Sequence, residues 1–174
     1  RHFCPILGRG WEMTVFNTAP PNGTVRDWLD SQAETGGAAI AYQFTDGTAP
    51  LSWCDTRDRA RSMAHYLTEW GLVKGESLAV MMPNGKPALE ALFAGLYGGF
   101  RVTMINLAAG NDAIRYTLEH CEARHAFVGS DQQDQFSATR PDSVSALPDI
   151  PTEKHGTQLH LLRSGEDALS CTPP

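Results

Sequence analysis

Between residues 78 and 128 the chain alternates short apolar runs with longer amphipathic stretches. Residues 78–82 are apolar throughout and lie between Gly75 and Pro83, which is typical of a strand buried on both faces of a parallel sheet. Residues 101–105 and 126–128 predict two further strands. Because parallel strands need a crossover between them, this alternation predicts an α/β fold, in which a mainly parallel sheet is flanked by helices.

The two stretches between these strands have helical spacing. The first helix begins near Pro87, since the first turn of a helix tolerates proline, and Asn111 or Asp112 caps the second. The predicted buried stripes are Leu89, Leu92, Phe93 and Leu96 in the first helix, and Ile114, Leu118 and Cys121 in the second. Residues 131–136 predict one more short helix.

The residues before the sheet predict a short antiparallel hairpin near the N-terminus. Asp46-Gly47 is a strong hairpin turn signal, and it separates the small, apolar and aromatic residues of 38–44 from the second predicted strand at 50–53. This hairpin completes the fold class expected for the chain.

Helices are predicted on both sides of the hairpin. Thr24 can cap a first, short helix. Ser52 and Asp55 have the spacing of a capping box, with Asp in place of the usual Glu or Gln, and helical spacing continues over 54–70. Gly71 lies where a helix of this length would end in a left-handed residue.

The sequence divides into three expected segments. Residues 1–12 are interpreted as an upstream leader, because a plausible initiation Met follows at Met13. Residues 13–139 form the predicted α/β subdomain. Residues 140–174 are rich in Pro, Ser and Asp at their start and predict a surface connection, which contains one further candidate strand at 158–163.

Composition excludes several classes of partner. The formal net charge is −6, and no run of Lys or Arg is longer than two, so neither a nucleic-acid surface nor a polybasic membrane patch is expected. No apolar stretch approaches the roughly 20 residues of a membrane span, so no transmembrane segment is expected. The four cysteines are widely spaced and form no C-x-x-C pair, so neither a zinc knuckle nor a disulfide framework is suggested and we expect a cytoplasmic location. The first residues lack the apolar run of a signal-peptide core.

Two groups of residues could suggest chemistry. His120, Cys121 and His125 are the only close set of soft metal ligands, but His120 and Cys121 lie on different helix faces, and three groups are fewer than a closed structural zinc site requires. A phosphate loop follows a strand and opens a helix. Neither Gly8-Arg9-Gly10 nor the group of glycines at 95–99 has that position. We interpret 95–99 as a helix C-cap with close helix-sheet packing.

No other pattern supplies a reactive group. Gly129-Ser130-Asp131 lacks the second glycine of a nucleophile elbow. Met81, Met82 and Met104 are interpreted as core residues rather than as the lining of an acyl pocket. The residues alone therefore predict an α/β domain without an assigned catalytic, cofactor-binding or metal-binding residue.

Four strings, in order, resemble the amino-terminal region of the adenylate-forming superfamily, which includes acyl-CoA synthetases and peptide-synthetase adenylation domains. They are LSW at 51–53 with WGLVKGE at 70–76, LAVMMPN at 78–84, LFAGLYGGFRV at 92–102 with IN at 105–106, and IRYTLE at 114–119. Within this superfamily, the sequence of residues 102–110 most resembles fatty-acid or carnitine-type acyl-CoA ligases. Met104 departs from the family pattern, which has proline there.

The resemblance implies an ATP-dependent acyl-CoA ligase that uses ATP, Mg²⁺ and CoA. Residues 166–169 resemble the lead-in to the family's phosphate loop, and the sequence then departs from the family pattern, so we expect an amino-terminal fragment that is inactive alone. Its implied partners are the missing remainder of the synthetase and, in a homodimer, a second copy. The alternative is a self-contained α/β binding or interaction module, which would have polar faces throughout.

Overall fold

The computed structural model describes residues 23–147. The helices are Val25–Gly36 (α1), Trp53–Glu69 (α2), Lys86–Gly98 (α3), Asn111–His120 (α4) and Gln133–Thr139 (α5). The strands are Ile40–Tyr42 (β1), Leu51–Ser52 (β2), Ser77–Met81 (β3), Arg101–Met104 (β4), Ala123–Val128 (β5) and Ser145–Leu147 (β6). Single 3₁₀ turns at Leu107–Ala109 and Ser130–Gln132 precede α4 and α5.

The predicted fold class is confirmed. Strands β3 to β6 form one four-stranded sheet in the order β4-β3-β5-β6, and every neighbouring pair is parallel. Strands β1 and β2 form the separate antiparallel pair expected near the N-terminus. The first crossover moves from β3 to one side and the next moves past β3 to the other, which is the strand order of doubly wound sheets.

The core at the sheet has two halves, one on each face, and a further buried cluster lies between α1, α2 and α3. Leu78 and Val80 of β3 pack with residues of α2 and α3, whereas Ala79 and Met81 pack with residues of α4 and α5. Successive side chains of a strand point to opposite faces, so β3 contributes to both halves and is buried along its whole length. The prediction of a strand buried on both faces is therefore confirmed.

The predicted starts of the first two helices are confirmed. The side chain of Thr24 accepts a hydrogen bond from the backbone of Asp27, and the carboxylate of Asp27 accepts one from the backbone of Thr24. Ser52 and Asp55 make the same reciprocal pair at the start of α2. Each box satisfies backbone N–H groups that a helix start otherwise leaves without partners.

Two glycines have positive φ angles because each of them ends a helix. Gly71 has a φ of 92°, and the amide of Leu72 donates to the carbonyl of Leu67, as in a Schellman motif. Gly99 has a φ of 80°, and the amide of Phe100 donates to the carbonyl of Gly95 in the same way. The interpretation of residues 95–99 as a helix C-cap is therefore confirmed.

The expected buried stripe of α3 is wrong. Leu89, Leu92, Phe93 and Leu96 are only half-buried, and the fully buried positions include Ala88, Ala91, Ala94 and Gly95. The physical reason is close packing of α3 on the sheet, because a Cβ at Gly95 would overlap Val102 of β4. Small residues therefore occupy the sheet side, and the leucines are rotated toward the outside.

Other differences concern local boundaries. Helix α4 begins after Gly110 and has no side-chain cap, so the expected cap at Asn111 or Asp112 is wrong, and Asn106 instead caps the preceding 3₁₀ turn. Strand β6 lies within the predicted surface connection, and the sequence prediction missed it. The interpretations of 1–12, Met13, Gly8-Arg9-Gly10, 158–163 and 166–169 lie outside the described residues.

Candidate docking face

Strand β4 forms one edge of the described sheet, and its hydrogen-bonding groups divide between two sides. The amides of Arg101 and Ile105 donate to the carbonyls of Glu76 and Val80, on the β3 side. Because alternate residues of a strand direct their backbone groups to opposite sides, the amides of Val102 and Met104 point away from β3. Within residues 23–147, no strand pairs with that side.

Helix α3 presents an apolar face next to this edge. Leu89, Leu92 and Leu96 follow helical spacing and are half-buried, whereas the sheet side of α3 holds Ala88 and Ala91. Val102 packs against the core beneath α3, and Met104, two residues on, shares its side of the strand. We define Leu89, Leu92, Leu96, Val102 and Met104 as the α3–β4 face.

Met104 is 41% exposed, so its interpretation as a core residue is wrong. The reason is its place on an edge strand, where one flank of each side chain has no strand beside it. Met81 and Met82 lie on or directly after β3 and are buried, as expected. The methionines therefore differ in burial because β3 is a central strand and β4 is an edge strand. The local sequence does not show the order of strands in the sheet.

An aromatic cluster continues the apolar surface from α3 toward α1 and the hairpin. Phe93 lies 5.7 Å from Tyr42 and 6.4 Å from Trp28, measured between ring centroids, and Trp53 lies 5.4 Å from Trp28. Trp28 is 37% exposed and Ile40 on β1 is 61% exposed. Partial burial in this cluster raises the pKa of Tyr42.

Polar contacts fix the opposite side of α3. Glu90 is almost fully buried and accepts a hydrogen bond from Arg59 of α2 at 3.0 Å. The hydroxyl of Tyr97 donates to Asp30 of α1 at 3.0 Å, and Arg26 donates to the carbonyl of Tyr97. These contacts hold α3 against α1 and α2. They therefore fix the rotation of α3 about its axis, and with it the direction of its leucine side chains.

The carboxyl ends of β3 and β5 are the place where doubly wound sheets bind ligands. Here the amide of Gly129 donates to the carbonyl of Met81 at 3.0 Å, and the side chain of Gln133 donates to the carbonyl of Val128 at 3.4 Å. The chain's own groups thus occupy these strand ends. Gly129-Ser130-Asp131 leads into a 3₁₀ turn, which is not the strand-to-helix turn of a nucleophile elbow.

The three soft ligands that the sequence pattern did not assign to a metal site each have other neighbours. The ring of His120 stacks on Tyr116 and its Nδ1 lies 2.7 Å from that residue's carbonyl oxygen. Cys121 donates to the carbonyl of Leu118, and His125 lies in β5 opposite Ser145. Over the described part of the chain, no three His, Cys, Asp or Glu side chains gather closely enough to hold a metal ion. No helix of that part has the length and apolarity to cross a membrane.

Comparison with known families accounts for this arrangement. The family described as AMP-binding enzyme matches residues 29–170 of the chain. The chain belongs to the AMP-binding enzyme family. The resemblance drawn from the four sequence strings is therefore confirmed, and the strings lie on the elements that build the sheet and its helices.

Relatives of this AMP-binding family chain include proteins named as CoA ligases and as peptide-product synthases. Sulfoacetate–CoA ligase of Cupriavidus necator is 28% identical over 104 residues, which cover 60% of this chain and 20% of that protein. A plipastatin synthase from Bacillus subtilis is 23% identical over 159 residues, or 89% of this chain and 4% of that protein. The chain thus spans a small part of either relative.

Solved structures confirm the fold of this AMP-binding family chain. The N-terminal domain of FACL13 from Mycobacterium tuberculosis superposes with a TM-score of 0.69 at 18% identity, over 87% of this chain and 39% of that domain. More than half of the matched domain therefore has no counterpart in this chain. Sequence reasoning missed the α3–β4 face, although its leucine spacing was visible, because it assigned those leucines to the core.

Proposed function

We propose that this chain is the amino-terminal scaffold of an ATP-dependent acyl-CoA ligase that acts on a fatty-acid type substrate in the cytoplasm. Membership of the AMP-binding family and the similarity to sulfoacetate–CoA ligase support this proposal. So does the sequence of residues 102–110, which resembles fatty-acid ligases.

The proposed parent reaction has two steps. A carboxylate oxygen of the acid attacks the α-phosphorus of ATP, and pyrophosphate leaves with the electrons of the broken P–O bond. The sulfur of CoA then attacks the acyl carbon of the adenylate, loses its proton, and AMP leaves. In the whole ligase, loop amides, a lysine and Mg²⁺ would stabilise the phosphate charge that develops.

In this proposal, the described residues support that chemistry without performing it. Residues 23–147 supply one sheet with helices on both faces, and we assign none of them a role on ATP, Mg²⁺ or CoA. The proposed partner is the remainder of the synthetase domain, which would cover the apolar surface of α3 and β4. We accordingly expect the isolated chain to be inactive.

The observation that carries the proposal is that helix α3 takes part in two apolar groups of partly exposed side chains, the α3–β4 face and the aromatic cluster. Ile40, Trp28 and Met104 are all exposed large hydrophobic side chains in or beside these groups. Soluble monomers rarely expose contiguous apolar patches beyond a few hundred Å². A self-contained module, the alternative function, would instead have a polar surface here.

ATP–pyrophosphate exchange on the isolated chain tests the proposal. We expect no exchange above the buffer rate with acetate, octanoate, palmitate or salicylate, while a complete acyl-CoA synthetase serves as positive control. Clear exchange by the chain alone would contradict a purely scaffolding role.

A dye that binds apolar surface separates the two functions further. The scaffold should increase the fluorescence of 8-anilinonaphthalene-1-sulfonate in its folded state, as judged by a cooperative unfolding transition in the same sample. A folded chain that leaves the dye fluorescence unchanged would favour the self-contained module.

A further inference from the structure

We propose that Asn84 is a site of spontaneous covalent modification, at which its side-chain amide is converted to a carboxylate with water as the co-reactant. Asn84 lies in the short connection between β3 and α3 and is followed by Gly85. Asparagine is one of the chemically labile residues of proteins. This inference does not depend on the proposed ligase activity, since it uses only the chemistry and the contacts of this connection.

The reaction begins when the backbone nitrogen of Gly85 attacks the side-chain carbonyl carbon of Asn84. A C–N bond forms, the nitrogen of Gly85 loses its proton to solvent base, and the side-chain nitrogen takes up a proton and leaves as ammonia. Water then adds to one of the two carbonyl carbons of the succinimide and breaks the bond from that carbon to the nitrogen of Gly85. Opening at the side-chain carbonyl gives aspartate, and opening at the main-chain carbonyl gives isoaspartate.

The connection leaves both reacting groups accessible. Asn84 is exposed, so water and solvent base reach it. Glycine has no Cβ, so no side chain on residue 85 shields the attacking nitrogen. Among the residues that the structure describes, the side chain of Asn84 and the amide of Gly85 have no hydrogen-bond partner that would hold them apart. Ring closure therefore breaks no hydrogen bond with those residues.

The other two asparagines of residues 23–147 lack this combination. Asn106 and Asn111 are exposed as well, but neither is followed by glycine. The side-chain oxygen of Asn106 accepts a hydrogen bond from the amide of Ala108 at 3.1 Å. That of Asn111 accepts one from the side chain of Gln135, also at 3.1 Å. Exposure alone thus does not select Asn84, whereas the following glycine and the absence of a holding bond do.

The modification places a negative charge beside the start of α3. That helix has no side-chain cap, and its N-cap is Gly85. A carboxylate near a helix N-terminus is favourable, because the first amides lack partners and carry partial positive charge. One added carboxylate changes the formal net charge of the chain from −6 to −7. The aspartate product should therefore keep the fold, whereas isoaspartate lengthens the connection by one backbone atom.

Peptide mapping by mass spectrometry tests this inference on the full chain, incubated in its folded state in mildly alkaline buffer. Trypsin releases residues 75–101, in which Asn84 is the only asparagine and no glutamine is present. Conversion raises the mass of this peptide by the difference between a hydroxyl and an amino group. The peptide 102–115 contains Asn106 and Asn111 and is the matched control within the same sample. A sample digested without incubation corrects for conversion during digestion.

We expect the converted fraction of 75–101 to grow with time and to elute as two products, while 102–115 changes little. Anion exchange of the folded chain should show a growing acidic species. Asn84→Asp supplies the reference for the aspartate product, and its 75–101 peptide should gain no mass.

Gly85→Ala tests the attacking nitrogen. A Cβ at residue 85 would meet only Cδ of Pro87, at 3.8 Å, and alanine adopts the extended backbone that Gly85 has here. The variant should therefore fold, as judged by circular dichroism, and lose most of the mass gain, because its methyl group shields the nitrogen.

Three results would overturn the proposal. One is a 75–101 peptide that converts no faster than 102–115. Another is a folded Gly85→Ala variant that converts as fast as the parent. The third is a single product that elutes with the Asn84→Asp peptide, which would show direct hydrolysis of the side chain without the nitrogen of Gly85.

Discussion

Replacement of Gly95 by Ala tests whether the close approach of α3 to the sheet decides which side of that helix is buried. A Cβ at Gly95 would overlap Cγ2 of Val102 and lie 3.5 Å from Cδ2 of Leu78. Leu78 is fully buried, and Val102 is β-branched and stiff about χ1, so neither side chain moves away freely.

The expected magnitude combines two opposing effects. Overpacking costs about 1–3 kcal/mol, whereas replacing a helical glycine by alanine gains up to about 1 kcal/mol. We therefore expect Gly95→Ala to lower the free energy of unfolding by about 0.5–2 kcal/mol. Val102→Ala removes two half-buried methyl groups and should cost about 1 kcal/mol by itself.

Urea unfolding of the two single variants and the double variant, followed by circular dichroism, measures their coupling. In the Val102→Ala background the overlap is absent, so Gly95→Ala should become neutral or stabilising. The coupling energy should be about 1–3 kcal/mol, well above the roughly 0.5 kcal/mol within which independent sites add. Gly71→Ala is the control. Its φ of 92° predicts a cost of about 1 kcal/mol, but it has open space around it and should not couple to Val102.

Two results would refute this reasoning. A Gly95→Ala variant more stable than the parent by about 1 kcal/mol would show that the sheet side of α3 has room for a side chain. A coupling energy within error of zero would show that Val102 is not the residue that Gly95 accommodates.

Three further predictions concern the contacts that hold α3 and α2. Glu90→Gln should lower the free energy of unfolding by about 3–5 kcal/mol in chemical denaturation, because it removes a buried anion from Arg59. Ser52→Ala should cost about 1 kcal/mol by thermal or urea unfolding, because it removes half of a capping box. Burial raises the pKa of Tyr97 above its ordinary 10.0, so stability should fall as pH rises beyond 10.0, and Tyr97→Phe should reduce this alkaline loss.

A different result would contradict each of these three predictions. A Glu90→Gln variant as stable as the parent would mean that the ion pair makes no net contribution. A Ser52→Ala variant with unchanged helicity and stability would remove the role assigned to the cap. For Tyr97, the sign follows from its raised pKa, since the folded state holds the phenol proton more tightly than the unfolded state. An alkaline loss of the same size in Tyr97→Phe would place its origin elsewhere.

Local chemistry made much of this fold predictable. The capping boxes at Thr24 and Ser52, and the glycines at 71 and 99, act through neighbours in sequence, so their effects can be predicted without tertiary structure. The continuous apolar run of β3 likewise records burial on both faces. The alternation of apolar runs and helical spacing predicted the order of strands and helices, and the structure has that order. The family resemblance added the family itself, which the matched family model confirms.

The incorrect predictions share one cause: the burial of these residues depends on tertiary contacts that the local sequence does not show. The leucines of α3 have ideal spacing for a core stripe, yet the alanines and Gly95 pack against the sheet because the helix lies so close to it. Met104 has the composition of a core residue but lies on an edge strand. Strand β6 has only three residues, two of them exposed, so it carries almost no periodic signal.

The two-sided apolar character of α3 links these errors to the proposed role. A surface helix needs one apolar stripe, but α3 uses small residues toward the sheet and carries three half-buried leucines on another side. A helix with apolar residues on opposed sides belongs in the interior of a larger assembly. In the proposed scaffold role, the rest of the synthetase domain covers its outer leucines and the open edge of β4. A charged substitution among these leucines, such as Leu92→Glu, should therefore weaken assembly of the chain with the remaining domain.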